Sequence, residues 1–207
     1  MKAVIELDLP QPQQSRSFRT RQSFVDAGWD ILRTQSWESV SITAIAKKAG
    51  RSVGVFYQRF GSKDDFLIVL LNRWLEVGYA SLNGWPPAQS ASELIDWYLR
   101  DAFERIKANR YLWRAALQRS WDNSAFWEPF RVMAGRRREV LFERLGEVRG
   151  RPLTDEESYR LGQAIQVFNS VLNNALLSDP GPLRVDQPEF LPTLEAIFMT
   201  VAGLELD

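Results

Sequence analysis

The chain has neither cysteine nor histidine among its 207 residues. Without cysteine there is no disulfide framework and no thiolate chemistry, which agrees with a reducing compartment. Without histidine, imidazole acid–base catalysis and most transition-metal sites drop out. No glycine-rich phosphate loop and no nucleophile elbow occur, so an enzyme is not expected and neither a metal nor a cofactor is implied. The N-terminus carries no basic stretch followed by an apolar core, so no signal peptide is read there. No alternation of apolar and polar residues runs long enough to suggest a sheet.

What is present suffices for a packed core: 45% of residues are apolar and 12% aromatic. The net charge is zero but unevenly placed. Ser15 to Lys63 holds nine Lys/Arg against three Asp/Glu, whereas Asp64 to Asp207 holds sixteen against twenty-one. A basic head on an acidic body suits a phosphate-binding surface, with a merely solvated charged face as the plain alternative. Leu161 to Ser178 has no charged residue, yet its Gln and Asn load is too costly for a lipid-facing helix. It is better read as a helix buried by protein on most sides, and no membrane partner is expected.

Met1 to Ser15, with Pro10-Gln-Pro, shows no helical period and is read as unstructured. Arg16, Arg19 and Arg21 follow, either as an arm along phosphates or as a solvated helix start. A first helix is predicted near Thr20 to Thr34, with Phe24, Ala27, Gly28, Ile31 and Leu32 at core spacing. Ile42, Ile45, Ala46 and Ala49 then fall at i, i+3, i+4 and i+7 behind Ser41, a plausible N-cap. Gly50 suits a sharp turn needing positive φ, and Ser52 caps a second short helix whose Val53, Phe56 and Phe60 share a face. Ser52, Val55, Tyr57, Gln58 and Arg59 are left largely outward. Two short helices joined by a tight glycine turn describe a helix-turn-helix, whose second helix reads the DNA major groove.

On these residues the chain resembles the tetracycline-repressor (TetR) family. The resemblance covers about Ser17 to Leu70 and rests on Ser41, Ile45-Ala46, Ala49-Gly50, Tyr57 to Phe60 and Ser62-Lys63-Asp64-Asp65-Phe66-Leu67. It implies that Tyr57 and Lys63 contact phosphates, while Ser52, Val53, Gly54 and Val55 enter the groove. Thr43 can approach backbone or base, Gly54 permits close approach, and Val53 or Val55 can meet a thymine methyl. Gln58 is the best candidate for a bidentate adenine contact. Arg51 departs from the family pattern, which places a small apolar residue after the turn glycine. It is expected to point outward and to add a phosphate or guanine contact.

Beyond Ser62, which opens a helix with Phe66, Leu70, Trp74 and Val77 inward, the chain breaks at Asn83-Gly-Trp-Pro-Pro. Helices follow from Ser90, past Asn109, after a restart at Asp122-Asn-Ser124, from Thr154 and near Pro188. Nine aromatic residues lie within Trp97 to Phe130, and helical spacing makes most of them ordinary core. The resemblance implies a pocket for a small hydrophobic or aromatic effector, with Trp97, Trp113, Trp121, Phe126, Trp127, Phe130 and Phe168 as candidate lining. Arg136, Arg137 and Arg138 span about 200° of helix surface. Either one of them approaches a cavity and meets an anion, or all three snorkel into solvent.

The uncharged helix carries Gln166, Asn169, Ser170, Asn173 and Asn174 opposite its apolar face, where a solvated helix would place Lys or Glu. Burial against a second subunit accounts for this, with Phe198 of the last helix alongside; burial under the chain's own helices is the alternative. The expected architecture is all-α with about nine helices: a tail (1–16), a three-helix DNA-binding domain (17–65) and a ligand-binding and dimerisation domain (66–207). The expected function is a cytoplasmic homodimeric regulator of double-stranded DNA, a repressor released from a palindromic operator by its effector. The alternative is a helical ligand-binding or scaffold protein whose helix-turn-helix is structural only.

Overall fold

The computed structural model describes Ile5, residues 15–122 and residues 124–203, with the side chains of 15, 16, 122, 124 and 125 outside the description. Among the described residues the chain is all-α, with nine α-helices and no strand. They are α1 (Ser15–Ile31), α2 (Ile42–Lys48), α3 (Val53–Phe60), α4 (Lys63–Ala80), α5 (Ala91–Ala108), α6 (Arg110–Asp122), α7 (Glu128–Arg149), α8 (Asp155–Ser178) and α9 (Phe190–Ala202). Short 3-10 turns occupy Ser81–Asn83 and Ser124–Trp127. Two compact units result: Met1–Ala80 with Asn109–Phe130, and Ser81–Ala108 with Arg131–Asp207.

The first unit is built on four phenylalanines. Phe24 of α1, Phe56 and Phe60 of α3, and Phe66 of α4 are each fully buried. Their rings meet at 4.7–5.7 Å, mostly edge to face, the arrangement favoured by the ring quadrupole. Each burial contributes about 1.5–3 kcal/mol relative to exposure, so this cluster sets the positions of α1, α3 and α4. Gly28 leaves room for it: a Cβ there would lie 2.7 Å from two carbons of the Phe66 ring. Farther along α4, Trp74 packs against Trp113 of α6 with ring centroids 4.7 Å apart. Val77, expected inward, is 49% exposed, because the inward face of α4 has rotated onto Leu75, Gly78 and Tyr79 by that turn.

Most of the expected tail lies outside the described residues, as does Asn123 of the expected restart. Ile5 is buried, donates its N–H to Asn72 Oδ1 (2.8 Å) and accepts from Asn72 Nδ2 (3.0 Å). Helix α1 also begins at Ser15, five residues before the expected start.

In the second unit, α8 and α9 pack side by side. Leu161, Ala164, Ile165, Phe168, Leu172 and Ala175 of α8, and Phe190, Leu191, Leu194, Phe198 and Ala202 of α9, form the buried stripes. Phe103 of α5 stacks on Phe190 at 5.7 Å. A complete capping box starts α8: Thr154 Oγ1 accepts from Glu157 N (3.2 Å), and Glu157 Oε2 accepts from Thr154 N (2.8 Å). Among the described residues no helix is long and apolar enough to cross a membrane, and no group of three or more acidic side chains could hold a metal ion.

Candidate nucleic-acid interface

Local chemistry defines the ends of α2 and α3. Ser41 Oγ accepts from Ala44 N (3.1 Å) and starts α2. At its other end, Gly50 has φ 65°, Gly50 N–H donates to Lys47 O (3.2 Å) and Arg51 N–H donates to Ala46 O (3.0 Å). This pair of bonds is a Schellman stop, which needs the left-handed residue that glycine provides. Ser52 Oγ then accepts from Val55 N (3.4 Å) to start α3, and Gly61, with φ 70°, donates to Tyr57 O (2.9 Å) to end it.

With Phe56 and Phe60 in the core, the opposite surface of α3 is determined. Ser52, Gly54, Tyr57 and Gln58 are exposed, as are Thr43 on α2 and Arg51 in the turn; Val53 and Val55 are half-buried. Tyr57 is 50% exposed, its ring set edge to face on Phe56 at 5.8 Å, so the hydroxyl is carried outward on a braced ring. Arg51 occupies the position after the Schellman glycine where an apolar contact usually sits, and solvates its charge instead.

Two expected contacts are placed differently from the rest. Arg59, expected outward, is half-buried and donates from Nη1 to Ser17 Oγ of α1 (2.8 Å). Its position on α3, one residue before buried Phe60, turns it toward α1. Lys63 is half-buried, with Nζ donating to Trp37 O (2.8 Å) and standing 4.7 Å from the Trp37 ring centroid. Trp37 itself is buried. Lys47, in the last turn of α2, is exposed on the same unit. It was not singled out from the sequence, although the basic count of this segment included it.

The candidate effector residues divide between the compact units. Trp113, Trp127 and Phe130 cluster in the first, with centroids 4.6–5.6 Å apart, and Phe126 lies 6.0 Å from Phe130. Trp121 is corrected: at 81% exposure it lines no interior, because it stands in the last turn of α6, about 80° around the helix from Trp113 and beside exposed Arg114. Trp97 belongs to the second unit, 4.8 Å from Trp85, and Phe168 is buried on α8.

Of the three consecutive arginines, Arg136 pairs with Glu139 at the surface and Arg138 is exposed, but Arg137 is 3% exposed. Arg137 Nη2 donates to Asp101 Oδ2 (2.5 Å) and Nη1 to Ser81 Oγ (3.1 Å), with its Cζ 5.7 Å from the Trp85 and Tyr98 rings. Arg105 also faces Asp101, at 3.9 Å. Burial, and then the charge of Arg137, push the Arg105 pKa down to about 10, which leaves it cationic at neutral pH. Burial pushes the Tyr98 hydroxyl up.

On α8, Gln166, Ser170 and Asn174 are exposed, while Asn169 and Asn173 are half-buried. Phe198 is corrected: it is fully buried within its own unit and presents nothing to a partner. The outward stripe of α9 is Thr193, Ala196, Ile197 and Thr200, at i, i+3, i+4 and i+7, with Ile197 36% exposed. That spacing was legible once the buried stripe of α9 had been phased.

Comparison with known proteins places this geometry. Residues 24–70 match the family described as "Bacterial regulatory proteins, tetR family". An uncharacterized HTH-type transcriptional regulator of Bacillus subtilis, YwcC, is 46% identical over 54 residues, which span 26% of this chain and 24% of that protein. The chain therefore aligns with about a quarter of the length of that relative. Two solved structures are similar in fold. A TetR transcriptional regulator from Rhodococcus sp. RHA1 has a TM-score of 0.58 at 19% identity, covering 92% of this chain and 99% of that one. Salmonella enterica GusR has a TM-score of 0.59 at 16% identity, covering 94% and 100%.

Proposed function

We propose that this chain, which belongs through its N-terminal domain to the TetR family of transcriptional regulators, is a repressor that grips a palindromic operator as a homodimer and lets go when a small hydrophobic effector binds. The observation that carries the reading is the exposed face of α3, where Ser52, Gly54, Tyr57 and Gln58 stand on a helix braced from behind by Phe56 and Phe60. Exposed Arg51, Thr43 and Lys47 flank that face with a cation, a hydroxyl and a second cation. Tyr57 and the cations hold phosphates, which positions the protein, and Gln58 and the first turn of α3 read base edges.

One short helix covers few base pairs, so two copies on a two-fold axis are needed, with half-sites about one helical turn apart. The seam runs along the uncharged outer faces of α8 and α9: Gln166, Ser170 and Asn174 on one, Thr193, Ala196, Ile197 and Thr200 on the other. Asn169 and Asn173 border it. Residues 17–65 read DNA in this scheme, and residues 66–207 bind the effector and dimerise. The protein acts in the cytoplasm, without catalysis. The effector releases the operator because it binds more tightly to the conformation that does not fit DNA, and DNA must weaken effector binding by the same factor.

The reading of the helix-turn-helix as a purely structural element draws on Lys63 and Arg59, both of which have partners within the chain. Genomic fragments selected by the full chain, then measured by fluorescence anisotropy across a salt series, separate the two. Log affinity should fall linearly with log salt. Tyr57→Ala, at an exposed position, should weaken binding about tenfold or more with the fold intact, and Lys63→Ala should lower the salt slope by about one. Affinity indifferent to salt and to both substitutions would sink the regulator reading.

A further inference from the structure

We infer that Arg119 of α6 is a positioning residue for DNA binding: by pairing with Asp64 it cancels a negative charge at the start of α4, beside the phosphate-facing Lys63. The inference rests on the regulator reading above and adds to it a residue from outside the helix-turn-helix.

The start of α4 carries more acid than base. The regulator reading gives Lys63 a phosphate, yet Asp64 and Asp65 follow it directly in the first turn. Acidic side chains suit the positive end of a helix, but there they compete with an incoming phosphate. Asp65 is folded back onto its own turn, with Oδ2 accepting from Ser62 Oγ (2.6 Å). Asp64 reaches instead toward α6, where Arg119 Nη1 stands 3.0 Å from its Oδ2. With Arg119 counted, cations and acids at this helix start are equal, two of each. Without it, the segment meant to approach DNA is net negative.

Arg119 is in place because α6 belongs to the same compact unit as α1 to α4, although α5 intervenes in the chain. Trp74 of α4 and Trp113 of α6, with centroids 4.7 Å apart, set the two helices against each other. The Phe126 ring stands 5.9 Å from the Arg119 guanidinium. The Arg119 and Asp64 side chains are 35% and 59% exposed, so the pair contributes little to stability and its loss leaves the fold intact. What the pair changes is the field at the start of α4. Charges there act on a nearby phosphate through water, which screens them over about 10 Å at 0.1 M salt. DNA affinity therefore depends on where α6 holds Arg119, and the same helix carries Trp113 of the aromatic cluster.

The test is fluorescence anisotropy of the full-length protein on one selected genomic fragment at about 0.1 M salt, with circular dichroism checking each fold. Arg119→Gln should weaken binding about three- to tenfold, and Asp64→Asn should tighten it about two- to threefold. The double variant should return to within about twofold of the wild type, because it removes one charge of each sign. Arg119→Lys, which keeps the cation, should also stay within about twofold. The loss in Arg119→Gln should fade as salt rises and the screening length shortens. Wild-type affinity in Arg119→Gln overturns the inference. So does a double variant as weak as Arg119→Gln, which makes the arginine itself the DNA contact. Arg119→Lys as weak as Arg119→Gln overturns it too, since the charge is then not what matters. Asp64→Asn binding no tighter than the wild type has the same force, and decides the matter if Arg119→Gln does not fold. Any of these results with wild-type DNA binding intact refutes this inference alone. A wild type that binds no DNA refutes the regulator reading, and this inference with it.

Discussion

Replacing Gly28 with alanine sets two effects of known sign against each other. Alanine is the better helix former, worth about 0.5–1 kcal/mol in the interior of a helix such as α1. The added Cβ, however, would sit 2.7 Å from Cε1 and Cζ of Phe66 and 3.3 Å from Leu70 Cδ1. Carbon atoms pack at about 3.5–4.0 Å, so the ring must retreat by about 1 Å. It has nowhere to go: Phe66 is fully buried, with its centroid 4.7 Å from Phe60 and 5.1 Å from Phe56. Overpacking of this kind costs about 1–3 kcal/mol, so the expected net effect is a loss of about 1–2 kcal/mol despite the helix gain. Thermal unfolding followed by far-ultraviolet circular dichroism should show a Tm lowered by roughly 2–4 °C per kcal/mol. Because Phe66 packs on α3, DNA affinity should fall as well. Phe66→Leu in the Gly28→Ala background should recover part of the stability, a coupling of about 0.5–3 kcal/mol between touching residues. If Gly28→Ala equals or exceeds the wild type in stability, the account of the phenylalanine cluster is wrong.

Gly54→Ala should behave in the opposite sense: its Cβ would meet only Ser52 Oγ at 4.0 Å, so stability holds or rises slightly while operator affinity drops about tenfold, and anisotropy beside a melting curve checks both. Ile197→Arg, at an exposed apolar position on α9, should keep the helical circular-dichroism spectrum yet yield monomers with weakened operator binding; sedimentation showing an intact dimer removes α9 from the seam. Glu157 provides a pH prediction. Its hydrogen bonds from Arg151, then Thr154 N, then Arg149 hold its carboxyl below the ordinary carboxylate range. A depressed carboxylate stabilises above its ordinary pKa and ceases to do so as pH falls toward the folded value. The stability gap between wild type and Glu157→Gln should therefore be full at pH 6–7 and shrink through about pH 4 to 3; a gap constant with pH removes the charge from the account.

The sequence by itself determined the helices and their ends, because those depend on neighbours a few residues away. Ser41 and Ser52 cap by bonding an N–H three residues on, Gly50 supplies the left-handed turn, and Thr154 with Glu157 closes a capping box. The helix-turn-helix and most of its outward face followed from the same local periodicity, since fixing Phe56 and Phe60 inward fixes Tyr57 and Gln58 outward. Tertiary structure decided which of several chemically similar residues met a distant partner. Three consecutive arginines differ only in helical phase, and Arg137 is the buried one because Asp101, 36 residues away, and Ser81, 56 away, lie opposite it. Arg59 turns inward for Ser17, 42 residues earlier, and Ile5 is held by Asn72, 67 residues later. Trp121 and Trp113 share a helix and an amino-acid type, yet one is exposed and the other buried: Trp74 of α4 packs on Trp113, whereas Trp121 stands in the last turn of α6 at the edge of its exposed face. Periodicity says that a helix has a face; which helix covers that face is settled only when the chain has packed.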